Sequence, residues 1–595
     1  MRIHRGNQLP KQLNLKEMKK KLGVYICACG GNISDYVDIE KVREAVKDED
    51  CLVLAKTTMF ACGDTNQKDM EQDIKENDLS GIVVASCSPK LHLTTFRGVS
   101  ERAGLNKYNY VHANIREQGS WAHSDNKVGA TEKAINLVKA AIAKARLAES
   151  LEPIIIESKR SVAVIGAGVA GMKAAISLAR MKDEVYLIER EARVGGHLSA
   201  LERISPEGTD GRELLARLEK EIAAEPNITL LTNAEVTSTG GNIGDFKVDV
   251  TIKGSQGEVV KQFVAGSILV ATGFNSYTPA EGEFGYGNIK NVITLPDFKK
   301  LISEGGKADT DGTMRLFYNN REVQSIAYIY CVGSRQVKGE NKYCSRYCCT
   351  AAIQSSLDVR EKFPHVDNFH FTRGVRTYGK QELIYKESND KGDVYIQFPD
   401  KKPPVVTEEN GKVLVKAIDM LSDKNESEVA ADLLVLVTGM VPDSDTALGN
   451  LLKLPKGRDK FFNEIHPKLR PVETVIDGIT IAGTCQGPKN VAESVNSALS
   501  AAAKSHSFVS LGELELEPIV AYVDNETCNW CTACSDVCPF SAVSMIDHNG
   551  KSVAAINKSN CKGCGMCLPV CPSDSIELIS FTNKEMESMI DVLAQ

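Results

Sequence analysis

Between residues 22 and 115, short apolar runs alternate with segments whose apolar residues recur at helical spacing. GVYICACGG (23–31), CLVLAKTTMFACG (51–63) and GIVVASCSP (81–89) read as strands, with DIEKVREAVK (38–47) and QKDMEQDIKEN (67–77) as the helices between them. Such alternation predicts βα units on a parallel sheet. A longer helical pattern over 129–149 leads into a second α/β region. That region opens with RSVAVIGAGVAG (160–171), contains GSILVATG (266–273), KVLVKAID (412–419) and DLLVLVTG (432–439), and closes with ITIAGTCQGPKNVAESVNSALSAAAK (479–504). From 516 onward the chain becomes two short, similar, cysteine-dense halves. The pattern divides the chain into a basic tail (1–21), an N-terminal α/β domain with a linker helix (22–150), and a middle α/β domain (151–515) with an inserted cysteine loop (331–349). A C-terminal α+β domain (516–580) and a second tail (581–595) complete it.

Length and charge narrow the classes. At 595 residues there is room for about four domains. A net charge of −7 excludes a general nucleic-acid binder, and 2 Trp offer no stacking platform for single strands. The longest apolar stretch, 161–179, approaches the length of a membrane span. It carries Lys173 and three spaced glycines, so it reads as strand, turn and helix, with no membrane span expected. The basic N-terminus has no long apolar run behind it, and the expected location is cytoplasmic. What changes the picture is 18 Cys. In a long acidic cytoplasmic chain, thiols in that number point to metal or redox chemistry rather than disulfides.

Eight of them form a duplicated motif. CNWCTACSDVCP (528–539) and CKGCGMCLPVCP (561–572) are both Cys-x2-Cys-x2-Cys-x3-Cys-Pro. At this spacing one short loop presents three sulfurs to a 4Fe–4S cubane, and the fourth cysteine of each run reaches across to the other cluster. Cys528, Cys531, Cys534 and Cys571 would hold one cluster; Cys561, Cys564, Cys567 and Cys538 the other. The C-terminal domain is thus expected to be a two-cluster bacterial ferredoxin, built for one-electron transfer.

GAGVAG (166–171) follows an apolar strand and opens a helix, the context a dinucleotide site requires. Gly166 permits the tight turn, Gly168 lets a pyrophosphate approach the backbone, and Gly171 lets helix and strand pack closely. Glu189, with Arg190 beside it, ends the next predicted strand and is placed to accept bonds from ribose hydroxyls. RVGGH (193–197, with Gly195, Gly196 and His197) and Ala271–Thr272–Gly273 resemble segments around FAD in two-dinucleotide flavoproteins of the thioredoxin-reductase type. AGTCQGP (482–488), with Gly483 and Thr484, takes the place of that fold's last flavin-contacting strand, though many such proteins carry Asp where Thr484 stands. FAD and a thioredoxin-reductase-like middle domain are expected. His197 is either a flavin contact or an ordinary loop histidine. After the strand 326–330, where that fold places a second glycine fingerprint for NAD(P)H, the chain runs into CVGSRQVKGENKYCSRYCC instead. Electrons are therefore expected from a protein partner.

Cys331, Cys344, Cys348 and Cys349 read Cys-x12-Cys-x3-Cys-Cys. Pattern alone leaves a cluster and a buried or redox-active pair both open. Cys27, Cys29, Cys62 and Cys87 each fall at or just beyond the end of a predicted strand. That predicts convergence at one sheet edge, as a further cluster site or as small residues in tight turns. Cys51 reads as strand core and Cys485 as a flavin-side or structural thiol.

CACGGN (27–32), the ACG and SCSP loops, GAGVAG, CVGSR with YCSRYCC (343–349), AGTCQGP and the terminal ferredoxin together span nearly the whole chain. In this combination the chain resembles the A-type subunit of heterodisulfide reductase, the flavin and iron–sulfur component found in methanogens and in related bacterial complexes. The resemblance implies an oxidoreductase component of a multi-subunit enzyme, with Cys331, Cys344, Cys348 and Cys349 holding a 4Fe–4S cluster close to FAD. It implies partner subunits of a heterodisulfide-reductase-like complex, with a hydrogenase or NADH-linked module and ferredoxin as candidates, and a dimer within the larger assembly. It further implies a flavin hub that bifurcates or confurcates electrons, or a plain relay feeding a reductase or quinone-linked partner. Two departures bear on that choice. The additional ferredoxin-like insertion of methanogen versions is missing, since no Cys lies between Gly196 and Gly273. Where bifurcating members carry a Lys near flavin N5, five residues beyond the Cys pair, this chain has Gln354, followed by the uncharged Ser355.

Overall fold

The computed structural model describes residues 20–594 apart from 202, 205–207, 256, 309–311 and 444–446. Of the expected basic tail, residues 1–19 lie outside the described residues. The chain forms two compact units, one from its two ends (to residue 155 and from 515) and one from residues 156–514.

In the first unit, four parallel strands lie in the order Leu52–Thr58, Leu22–Cys27, Gly81–Ser86, Tyr110–Asn114. The two central strands are buried at every position, because helices cover both faces of the sheet. Those helices are Ile39–Val46, Asp64–Glu76, Pro89–Arg102 and the alanine-rich Lys127–Leu147. The ferredoxin-like end contributes two antiparallel pairs, Ala521–Val523 with Ile576–Leu578 and Val543–His548 with Lys551–Ile556. An ion pair from Arg97 to Glu517 at 2.8 Å ties it to the N-terminal part.

Residues 581–594 correct the expectation of a tail. Thr582 and Glu585 form a reciprocal capping box, and Asn583–Leu593 is a helix packed on Lys127–Leu147. The Lys144 ammonium lies 3.4 Å from the centre of the Phe581 ring. Burial pushes Lys144 down to about 8.

The second unit repeats one plan. Its first half is a parallel sheet ordered Ile228–Leu231, Glu184–Ile188, Ser161–Ile165, Ser267–Val270, Ile479–Ile481, with a three-stranded antiparallel sheet beside it. Its second half is a parallel sheet ordered Val292–Thr294, Leu433–Thr438, Ser325–Val332, Asp367–Thr372, Val394–Gln397, again with a three-stranded antiparallel sheet. The strand before the glycine loop and the strand bearing Cys331 hold equivalent central places. Among the described residues no helix is long and apolar enough to cross a membrane.

Candidate active site and metal centres

In the first half of the second unit, the chain leaves Ser161–Ile165 through a turn that only glycine fits. Gly166 has φ +100°, and a Cβ there would lie 2.5 Å from Ala271 O. A Cβ on Gly171 would fall 1.8 Å from Gly166 O, so helix and loop are in backbone contact. Gly168 has nothing within 4 Å of its added Cβ position, leaving its backbone open to a ligand. It caps the helix Val169–Arg180 without any side-chain bond, so that N-terminus keeps donors for an anion. A bridge between Gly168 and Gly195 joins the GAGVAG and RVGG loops.

These loops line a cavity of about 620 Å³, within the roughly 300–1,000 Å³ usual for cofactor pockets. Of the expected cofactor residues, Gly166, Gly168, Glu189, Arg190, Gly195, Gly196, His197, Ala271, Thr272, Gly273 and Thr484 line it. Gly171 and Gly483 stand behind its wall and shape it by packing; a Cβ on Gly483 would meet Ala170 Cβ at 2.8 Å. The buried Glu189 carboxylate accepts from Ala167 N at 2.8 Å and Glu191 N at 3.0 Å, which fixes it beside the glycine loop with lone pairs remaining for a ribose. His197 donates through Nε2 to Phe274 O at 2.9 Å and stacks on the Phe274 ring. An open loop backbone, an uncapped helix end and a buried carboxylate fit a dinucleotide such as FAD.

The second half of the unit is built differently at the same point. A register shift interrupts the strand between Ile329 and Val332, and Cys331 sits there at φ +63°. The chain then enters the loop 333–347 before the helix Cys348–Lys362. The Tyr277 ring lies against Gly333, where an added Cβ would be 2.0 Å from it. Burial raises the Cys331 thiol to about 11, with Cys349 and Cys344 adding to the rise and Arg335 and Arg373 opposing it. Cys349 is lowered by a hydrogen bond with the Cys348 thiol, against burial, helped by Arg376 N and the charge of Arg335. Arg346 N donates to Cys344 Sγ at 3.4 Å. The four thiols thus share one neighbourhood. The helix that begins at Cys348 also sends Thr350, Ala351 and Gln354 into the cavity wall, with Tyr347 just before it.

In the first unit, Cys27 ends one parallel strand, Cys29 follows it, and Cys62 and Cys87 follow its two neighbours, so that all four converge at one edge of the sheet. Cys27 is raised to about 11 by burial, with Cys29 and Cys62 acting on it; Cys87 is raised by burial against Arg116, and feels the same two thiols. Cys27 Sγ accepts from Ala61 N at 3.3 Å and Cys29 Sγ from Arg116 Nη1 at 3.4 Å. In the ferredoxin-like part the duplication extends to the donors. Cys528 and Cys561 accept from Ala554 N and Ala521 N, both at 3.4 Å. Cys538 and Cys571 accept from Ala542 N and Ser575 N, both at 3.3 Å. Such bonds lower the charge borne by thiolate sulfur and tune cluster potentials. Cys531 and Cys564 are exposed. Among the described residues no three or more Cys, His, Asp or Glu side chains are grouped for a single metal ion. Cys485 is buried against Val270 O and Ala482 O, outside the cavity lining, and Cys51 is half-buried at φ +71°.

Sequence reasoning did not single out Tyr347, Thr350, Gln381, Met440, Lys489 or Asn490 as cavity residues. Of these only Asn490 had a local signal, since with Glu493 it spells a capping box at the start of the small-residue helix.

Residues 521–578 match the 4Fe-4S dicluster domain family, and residues 126–310 match the pyridine nucleotide-disulphide oxidoreductase family. The first match implies 4Fe–4S clusters and the second FAD. The chain is 35% identical to the second iron-sulfur A-type subunit of the CoB–CoM heterodisulfide reductase of Methanopyrus kandleri, an alignment covering 91% of this chain and 93% of that one. It is 35% identical to the A-type subunit of the H2:CoB-CoM heterodisulfide,ferredoxin reductase of Methanothermobacter marburgensis, covering 88% and 90%. With the A-type subunit of the ferredoxin:CoB-CoM heterodisulfide reductase of Methanosarcina mazei it shares 32% over 89% and 75%. Among solved structures, thioredoxin reductase of T. acidophilum superposes with a TM-score of 0.40 at 17% identity, over 59% of this chain and 99% of that one.

Proposed function

This chain belongs to the family of heterodisulfide reductase A-type subunits, and from that premise we propose that it is the electron-transfer hub of a cytoplasmic heterodisulfide-reductase-like complex. The observation that carries the reading is the shared helix: Cys348 and Cys349 begin it, and Thr350, Ala351 and Gln354 within its first two turns line the cavity. When bound, FAD supplies the exchange between two-electron and one-electron transfer, and each cubane carries one electron. Gly168 and the uncapped helix behind it would hold the pyrophosphate, Glu189 the ribose, and Thr272, Gly273 and Thr484 the remainder of the cofactor. Cys331, Cys344, Cys348 and Cys349 would hold the cluster beside it. The ferredoxin-type set would hold two more, and Cys27, Cys29, Cys62 and Cys87 a fourth. Partner subunits would bring the disulfide-reducing site and the electron source, with ferredoxin as the low-potential carrier.

In the bifurcating or confurcating form of this reading, the flavin couples those two routes. The second form is a plain relay, favoured by Gln354, which puts an amide in the cavity wall where a cation is expected. An anaerobic redox titration of the full chain, following flavin absorbance and cluster EPR, tests both. About 16 iron per chain and one concerted two-electron flavin step support the coupled hub. Two well-separated one-electron steps support the relay. Protein purified without flavin, or without iron, overturns the reading.

A further inference from the structure

Lys489 is among the charged groups in the cavity wall that have no part in that scheme. Lys489 lies just ahead of the 19-residue helix Val491–Val509 and lines the cavity together with Asn490, Val491 and Ser494. Its ammonium donates to Gly483 O and to Gln486 Oε1, both at 3.2 Å and both neutral. The nearby carboxylates are engaged elsewhere. Glu464 accepts from Gln486 Nε2, and Glu493 is held by Arg346, Tyr378 and Asn490 N. An ammonium has three donors, and two are used. Burial lowers the Lys489 pKa. The ammonium is half-buried and feels Cys485, Glu464 and Glu493 at a distance, but among the described residues no carboxylate pairs with it directly; the desolvation cost that remains is offset where a ligand brings negative charge.

Topology indicates which part of a ligand that is. Glu189 leaves the strand on one side of Ser161–Ile165. Lys489 follows Ile479–Ile481, the edge strand two places away on the other side. Three strand spacings separate those two strands, about 14 Å. A dinucleotide with its ribose at Glu189 and its phosphates at Gly168, over the central strand, extends its far end toward Lys489. The first turn of Val491–Val509 adds the positive end of its dipole there.

We propose that Lys489 supplies the positive charge that the flavin ring requires when it carries net negative charge. A flavin acquires that charge on uptake of two electrons and one proton, and it collects at the N1–C2=O edge. This inference rests on the flavin reading above and replaces the cation missing at Gln354 with one from a different element.

Sulfite is the probe, because its addition to flavin N5 places the same negative charge on the ring and bleaches the flavin band. The full-length holoprotein, Lys489→Gln and Lys489→Arg are compared for sulfite affinity and flavin midpoint potential, with flavin and iron contents measured alongside. Lys489→Gln is expected to weaken sulfite binding roughly tenfold or more and make the potential more negative, whereas Lys489→Arg stays within about threefold of the parent. Equal sulfite affinity in fully flavin-loaded parent and Lys489→Gln overturns this inference alone. Loss of flavin affinity with unchanged sulfite affinity in the remaining holoprotein also overturns it, making Lys489 a phosphate or ribityl anchor. A parent protein that holds no flavin overturns the underlying reading and this inference with it.

Discussion

Ser161–Ile165 and Ser325–Val332 occupy the same place in two five-stranded parallel sheets of one plan, yet the chain departs from them differently. After the first, three glycines bring a helix N-terminus into backbone contact with the strand and leave it open to a phosphate. After the second, Cys331 breaks the register, a loop follows, and two adjacent cysteines begin the helix. The helix still packs on its sheet, so the fold tolerates either ending. What a strand end binds is decided by the few residues that cross from strand to helix, while the sheet sets only where that site stands.

The largest effect expected from breaking this contrast lies in the glycine turn. Gly171→Ala puts a methyl 1.8 Å from Gly166 O and should cost about 3 kcal/mol or more, read as a lowered denaturation midpoint with little flavin retained. Gly168→Ala meets nothing within 4 Å; it should leave that midpoint nearly unchanged while reducing flavin content. Equal destabilisation by both would mean that the turn is a packing device only.

Next is the cysteine loop. Cys331→Ser should remove about four iron per chain with flavin still bound, since Cys331 is not in the cavity wall. Loss of flavin together with that iron would show that the two halves form one inseparable site.

A smaller effect concerns what holds the second half together. Asp393 is buried with Arg360 Nε at 2.5 Å, Ser388 Oγ at 2.5 Å and His370 Nε2 at 3.6 Å. Burial works against its carboxylate, but these partners hold it well below the ordinary range. His370, stacked between Tyr328 and Tyr395, is lowered by burial. Both shifts have one sign: the unfolded chain binds protons more readily than the folded one. Stability should therefore fall as pH drops through about 6.5, and again through about 4. Asp393→Asn should cost about 2–3 kcal/mol at neutral pH and remove the lower step, as measured by chemical denaturation across pH.

The smallest effect is expected from Gln354→Lys. Gln354 Nε2 donates to Asp358 Oδ1 at 3.1 Å in the cavity wall. With Lys489 already providing a cation, a second should strengthen sulfite binding by about threefold or less. A tenfold gain would place the controlling position in the cysteine half instead.

Sequence alone determined whatever depends on residues a few positions apart. GAGVAG, the paired Cys-x2-Cys-x2-Cys-x3-Cys-Pro runs and the cysteines at strand ends were legible because turn chirality and thiol spacing are local properties of the chain. The parallel βα plan was legible too, since burial of both sheet faces writes itself as uninterrupted apolar runs such as Gly81–Ser86. Tertiary structure decided the rest. The C-terminal residues became a helix on Lys127–Leu147 because their apolar face met one some 440 positions earlier in the chain. The matched donors Ala521, Ala542, Ala554 and Ser575 found cysteines through the pairing of short strands. Gln354 and Lys489 came to one cavity from separate elements. Such contacts arise where packing closes long loops, and no local pattern records which partner burial will bring.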